Sequence, residues 1–153
     1  MLKRNQLSYY VAVSDLKKIL KKIDELRRLD ETKKRIGFSM LAVTKDRIFE
    51  QGKDGNNSEI GTYSDAYMKV RAKNKWPQSR KVILQARRDM VNDWSLIVDG
   101  NRWGLGFKFV INYKKANNVE STYKKDIFAH TDAEVNQFTT LFQNEVNRIL
   151  NAN

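Results

Sequence analysis

The sequence predicts an α+β fold, with two N-terminal helices and a C-terminal helix packed on a small antiparallel β-sheet. Three observations predict it. Apolar residues recur at helical spacing between Ser14 and Phe49. Asp99-Gly100 separates two alternating runs, as in a hairpin. Thr131-x-x-Glu134 forms a capping box ahead of a last apolar-periodic segment. At 153 residues the chain has the size of one domain. The expected organisation is a single domain over 1–153, with an N-terminal extension at 1–13 and a flexible arm at 51–81.

The first helix is carried by "SDLKKILKKIDELRRL", which sets Leu16, Ile19, Leu20, Ile23 and Leu26 on one face. Ser14 or Asp15 is expected to cap it, since a side-chain oxygen there accepts from a free first-turn N–H. Lys17, Lys18, Lys21, Lys22, Arg27 and Arg28 line the other face, tempered by Asp24 and Asp30. No Trp or Phe joins the apolar side, so the pattern reads as a solvated amphipathic helix rather than a membrane-surface one. A second helix is expected from about Glu31 to Phe49. Ile36, Met40, Val43 and Ile48 lie near one face, and Phe38, Leu41 and Ala42 broaden it. A helix apolar over most of its circumference is buried on more than one side.

Beyond Phe49, the residues Gly52, Gly55, Asn56, Asn57, Ser58 and Gly61 disfavour regular structure. From Thr62 to Lys81, Tyr63, Tyr67, Met68, Val70 and Trp76 are scattered among Lys and Arg. A stretch this long without a period is expected to be functional or disordered. Val82–Trp94 reads as a short helix turning Leu84, Met90, Val91 and Trp94 inward. The hairpin follows, with Trp103, Leu105, Phe107 and Phe109 facing one way on the return strand. Gly104 and Gly106 leave its other face open to close packing. "KKANNVESTYKKDIF" is a polar connector with one helical turn. The final helix aligns Val135, Phe138, Phe142 and Ile149, so Trp103, Phe107, Phe138 and Phe142 are expected to be buried together.

Little in the chain suggests catalysis, and it reads as a protein that is not an enzyme. His130 is its single histidine and it has no cysteine. Disulfides, thiolate chemistry and a typical zinc site are therefore excluded. Ser58, Ser64 and Ser79 have no base or elbow motif beside them. "GKDGNNSEIG" departs from the G-x-x-x-x-G-K-[ST] order of a phosphate loop, and "WGLGF" holds a lone G-x-G inside a strand. No cofactor and no metal are expected. No run approaches the roughly 20 apolar residues of a membrane span. The first apolar stretch, broken by Asn5, Gln6 and Ser8, does not read as a signal peptide.

Charge speaks about partners. The net charge of +11 attracts nucleic acid, acidic protein surfaces or an anionic membrane. The 69–88 stretch interleaves basic residues with Trp76, which suits phosphate contact plus stacking. Contact with DNA or an acidic partner is assigned to Lys69, Arg71, Lys73, Lys75, Arg80, Lys81, Arg87 and Arg88. A basic nucleic-acid-binding protein is one reading of this stretch, although no RNP, helix-turn-helix or zinc-finger pattern accompanies it. The other is a charged arm that Tyr67 and Trp76 anchor to a partner protein.

"RIFEQGKDGNNSEIGTYS" (Arg47–Ser64) and "KDIFAHTDAE" (Lys125–Glu134) resemble segments of bacteriophage virion-morphogenesis proteins. These are the tail-completion or head–tail joining family, which includes minor tail proteins of long-tailed phages. Between the two segments the family places a basic variable stretch, a short region similar to "LQARRDMVNDW" (Leu84–Trp94), a hairpin and a connector. Here Arg87-Arg88-Asp89 replaces the usual Ser/Thr-Gly pair before the methionine. The resemblance covers about Ile36 to Leu150.

It implies a non-enzymatic virion component: a neck, head–tail connector or tail-completion subunit, assembled in the host bacterial cytoplasm and located at the neck/tail junction. The implied partners are further copies in a homo-oligomeric ring, a portal or adaptor protein, tail proteins and packaged DNA in the channel, with no membrane. Residues 51–81 become an assembly arm, with Gly52, Gly61, Tyr63, Tyr67 and Trp76 at the interface, that orders against a neighbour. Deleting Gly52–Lys81 is then expected to leave a folded monomer. Ring closure needs head-to-tail contact, expected from the second helix or from the Gly104/Gly106 face of the hairpin.

Overall fold

The computed structural model describes the backbone of residues 3–100 and 102–151, and the side chains of 16–25, 27, 29–100, 102–149 and 151. Among the described residues the fold is α+β, with five α-helices and a two-stranded antiparallel sheet. In chain order these are α1 (Lys3–Lys45), α2 (Asp65–Lys73), α3 (Asp89–Asp93), β1 (Trp94–Asp99), β2 (Arg102–Phe107), α4 (Val110–Tyr123) and α5 (Asp132–Asn151).

The two N-terminal helices expected from the sequence are one. Residues 24–35 hold no Gly or Pro, and ion pairs at helical spacing support them: Arg27–Asp24 at 3.7 Å and Lys33–Asp30 at 3.4 Å. Ser14 and Asp15 consequently lie inside α1, not at a cap, and helix also takes in most of the expected 1–13 extension. At 1.5 Å per residue α1 is about 64 Å long. It closes in one π-helical turn, Asp46–Glu50, that buries Arg47, Ile48 and Phe49.

α5 packs antiparallel on the C-terminal half of α1. Arg47 meets Glu134 near one end of the seam and Thr32 meets Glu145 near the other. Phe138 and Ile149 are buried there. The hairpin lies on a second face of α1. Trp94 Nε1 donates to Thr44 Oγ1 at 3.1 Å, and a Cβ added to Gly37 would sit 2.7 Å from the Leu96 side chain. Two covered faces agree with the broad apolar pattern of residues 36–48 only in part, since Phe38, Ala42 and Val43 stay exposed.

The main core joins Ile48, Phe49, Ile60, Tyr63, Val82, Met90 and Trp94, with Ile127 from the segment before α5. Trp94, Phe107 and Phe128 form an aromatic triangle with ring centroids 5.0, 5.2 and 5.4 Å apart. The expected joint burial of Trp103, Phe107, Phe138 and Phe142 is not found. Phe107 packs on the main core, whereas Phe138 belongs to the α1–α5 seam. α1 presents different faces to α5 and to the hairpin, so the two sets of aromatics are held apart. Trp103 and Phe142 are only half-buried. Phe142→Ala is accordingly expected to cost about 1–2 kcal/mol, less than a fully buried phenylalanine, as read from the urea midpoint.

Two further differences concern the hairpin. β1 and β2 pair in the register Trp94↔Phe107 to Asp99↔Arg102, so the Asp99-Gly100 turn stands where expected. Among the described residues nothing packs closely on Gly104 or Gly106: no atom of theirs lies within 4 Å of a Cβ built on Gly104, and only Ile97 approaches Gly106, at 3.5 Å. Phe109 leaves the strand and is 64% exposed. The polar connector is mostly helix α4. Its start is capped from a distance by the buried Asp93 carboxylate, which accepts from Lys108 N and Phe109 N at 3.1 Å and from Asn112 Nδ2 at 2.9 Å.

Candidate assembly surface

The segment expected to be a flexible arm is built into the fold. Asp54 organises its first part. The carboxylate accepts from Asn56 N and Ser58 N at 2.9 Å and meets Lys125 Nζ at 3.3 Å. Burial alone would raise the Asp54 pKa, but the Ser58 and Asn56 amides and the Lys125 ammonium outweigh it and hold the carboxyl below its usual value. Lys125 Nζ also donates to Glu59 O. Gly55 N donates to Asp126 O at 2.8 Å. A run rich in Gly and Asn that looks shapeless by propensity is thus a tight turn held by a distant segment.

The second part is pinned by Tyr63 and Arg71. Thr62 bridges to Lys81, and Tyr63 N donates to Arg80 O at 2.8 Å. Ser64 caps α2 through Tyr67 N. Arg71, expected at the surface as a contact for DNA or an acidic partner, is 0% exposed. Its Nε donates to Pro77 O at 2.9 Å, and its guanidinium lies 4.5 Å from the Tyr63 ring. Nη1 has no hydrogen-bond partner among the described residues. The sequence clue is position, since Arg71 follows Tyr67 by one helical turn on the inward face. Burial raises the Tyr63 pKa, so its hydroxyl stays protonated while it accepts from Leu84 N.

The remaining expected site residues divide. Gly52 is buried at φ +65°, and Gly61 sits at φ +155° with room for a Cβ only 3.0 Å from the Tyr123 ring. Tyr63 is buried and Tyr67 half-buried, with ring centroids 5.0 Å apart. Gly52 and Tyr63 pack inside the subunit, whereas Gly61 and Tyr67 stay partly exposed, and Tyr63 and Tyr67 line a cleft shared with Tyr123. Trp76 is half-buried, with the Arg87 guanidinium 5.8 Å from its ring. Lys69, Lys73, Lys75, Arg80, Arg87 and Arg88 are exposed. Arg80 is paired with Asp65, and Lys81 with Glu59 at 2.9 Å. That Lys81 pairing holds the Glu59 carboxyl below its usual range. Trp76, Arg87 and Arg88 line a cleft of about 280 Å³ together with Leu84, Met90 and Lys115.

Helix in the 82–94 stretch is confined to α3. Leu84 at φ +52° and Arg88 at φ +62° interrupt it. The side chain of Gln85 is drawn toward the end of α1, donating to Phe49 O and Glu50 Oε1 at 2.7 Å.

Arg47 is the residue that sequence reading missed. Its side chain and that of Glu134 are 6% and 7% exposed, and Nε meets Glu134 Oε1 at 2.8 Å. Nη1 reaches Lys53 O and Ile127 O at 3.1 and 3.3 Å, and Nη2 reaches Ala129 O at 2.7 Å. Glu134 also completes the expected capping box, accepting from Thr131 N at 2.9 Å while Thr131 Oγ1 accepts from Glu134 N at 3.1 Å. One guanidinium therefore ties the end of α1, the Gly-rich turn, the 127–129 segment and the start of α5. The clue is a basic residue on the face shared by Ile36, Met40 and Val43. His130 stands beside this pair, and burial lowers its pKa, so the ring favours its neutral form.

Among the described residues no group of three or more His, Asp or Glu side chains is placed to hold a metal ion. No helix among them is long and apolar enough to cross a membrane. Comparison with protein-family models, with curated proteins and with solved structures gives no match for this chain.

Proposed function

We propose that the chain is a structural, non-enzymatic virion protein of a bacteriophage: a neck or tail-completion subunit that forms a ring between portal and tail. One observation carries this reading. The two sequence segments that resemble the virion-morphogenesis family, Arg47–Ser64 and Lys125–Glu134, interlock in space. Arg47 binds Glu134 and the Ile127 and Ala129 carbonyls, Lys125 binds Asp54, and Gly55 binds Asp126. Their joint occurrence in one sequence thus has a physical reason, since each is the other's packing partner. Apolar side chains left open at Phe38 and Val43 on the C-terminal half of α1 and at Phe109, Val110 and Ile111 supply surface that a ring contact would cover. Repeated around a ring, the +11 charge makes a positive annulus suited to acidic portal or tail surfaces and to DNA in the channel.

The test is genetic. A stop codon early in the gene is expected to yield filled heads and separate tails, and complementation should restore joined particles. Normal yields of infectious tailed particles without the protein would sink the proposal. Portal, capsid and tail genes are expected beside the gene.

A second reading, direct duplex binding, is favoured by the exposed basic residues around Trp76. Arg80 and Lys81 are engaged within the chain, so the informative change is Lys69, Lys73, Lys75 and Arg88 to Gln together. If these residues touch phosphates, the slope of log affinity against log salt should flatten by about 0.9 for each phosphate no longer neutralised. An unchanged slope removes this surface from any account of DNA binding.

A further inference from the structure

The N-terminal half of α1 carries an apolar stripe that none of the described residues covers. Leu16, Ile19, Leu20 and Ile23 are 57, 54, 59 and 43% exposed. Their place on the helix is informative. Ile19 and Ile23 stand about five whole helical turns before Gly37 and Leu41, and so on the same side of α1. Those later positions face the hairpin and the main core. The core-facing side of α1 therefore resumes, beyond the polar positions Asp30 and Lys34, on a helix that has outrun its own domain. The described part of α5 leaves it open, since the antiparallel seam places Glu145 beside Thr32 and so sets Asn151 short of Ile23.

Charge selects the occupant. Residues 17–28 hold six basic residues, Lys17, Lys18, Lys21, Lys22, Arg27 and Arg28, against the acids Asp24 and Glu25. Both acids are already engaged, Asp24 with Arg27 at 3.7 Å and Glu25 with Lys21 at 4.0 Å. A second copy would bring the same positive charges from a chain of net charge +11, and like charges across an interface oppose association. An anionic bilayer is served better by a stripe bearing Trp or Phe, and DNA offers no apolar surface to cover these side chains. We infer that residues 16–28 of α1 are a docking helix for an acidic amphipathic helix of another protein. Leu16, Ile19, Leu20 and Ile23 form the seam, and the lysines beside it meet carboxylates. This is helix-to-helix recognition with charge-set partner choice. It stands without the virion reading.

The experiment uses the full chain and two synthetic helical peptides. One carries a Leu/Ile seam flanked by Glu; the other has Gln at each Glu. The Glu peptide is expected to bind at least about tenfold tighter than the Gln peptide, and to weaken as salt rises. Leu20→Ser and Ile23→Ser should each lower its affinity by about fivefold or more. Both side chains are exposed, so thermal unfolding should be unchanged, which separates a docking defect from a folding defect. Equal affinity for the two peptides, or none for either, overturns the inference. So does a dimer in the ultracentrifuge that Leu20→Ser abolishes, which would make a second copy the occupant. Phosphatidylserine vesicles that bind the chain more tightly than the Glu peptide, through the same two residues, would make it a membrane.

Discussion

Arg47→Ala is expected to destabilise the protein by about 3–5 kcal/mol, the cost of breaking a buried ion pair by removing one partner. Glu134 would stay buried with its charge uncompensated, and the Lys53, Ile127 and Ala129 carbonyls would be left without this donor. Urea unfolding followed by tryptophan fluorescence and far-ultraviolet circular dichroism should show the destabilisation with both probes. Arg47→Lys should recover less than half of it, because one ammonium cannot reach acceptors that the planar fork serves from three nitrogens. The pair also predicts coupling. Adding Glu134→Gln to Arg47→Ala should cost less than the sum of the two single changes, since the stranded carboxylate is gone. A midpoint for Arg47→Ala within about 0.5 kcal/mol of wild type would mean that the guanidinium is not the joint described above.

Gly52→Ala should rank next, at about 3 kcal/mol. At φ +65° any Cβ is strained by roughly 1–2 kcal/mol. Here it would also sit 2.5 Å from the Val82 carbonyl oxygen. Neither backbone can withdraw freely, because Ile60 N donates to Gly52 O at 2.8 Å and Val82 N donates to Gly61 O at 3.0 Å. Gly100→Ala is the control. Its φ is +55°, and nothing lies within 4 Å of the added carbon, so it should show the backbone strain alone. Equal destabilisation at the two positions would mean that the turn relaxes around the methyl group. The same packing reverses the expectation for deleting Gly52–Lys81. The deletion removes Ile60, Tyr63 and Arg71 from the interior and should prevent folding.

How far the sequence could be read depended on whether each signal was local. The capping box at Thr131 and Glu134 was legible because both partners lie within one helical turn. The Asp99-Gly100 hairpin was legible for the same reason. The apolar face of α5 was plain, but its partner was not, and the aromatics that Phe138 and Phe142 were expected to join lie on another face of α1. The candidate site was read least well. A run dense in Lys and Arg looks like a solvated surface by composition, and for Lys69, Lys73 and Lys75 it is. For Arg71 it is not, because the Tyr63 ring and the Pro77 carbonyl enclose it once the segment folds back on itself, and outside that run Arg47 is buried by a carboxylate and carbonyls brought from far along the chain.

The sequence by itself determined the α+β class, the hairpin turn, the start of α5, the absence of thiol chemistry and the strong positive charge. Each follows from residue type or from spacing within a few positions. Only the tertiary structure decided that α1 is one helix overreaching its domain, that residues 108–123 begin under a cap from Asp93, and that residues 51–81 are ordered. In the last two cases the deciding group lies far along the chain. The Asp93 carboxylate accepts from the Lys108 and Phe109 amides ahead of α4, Lys125 and Asp126 hold the Gly-rich turn, and Arg47 finds its carboxylate 87 positions away. Buried polar groups must be satisfied wherever partners exist. Local propensity carries no record of which distant residue will do it.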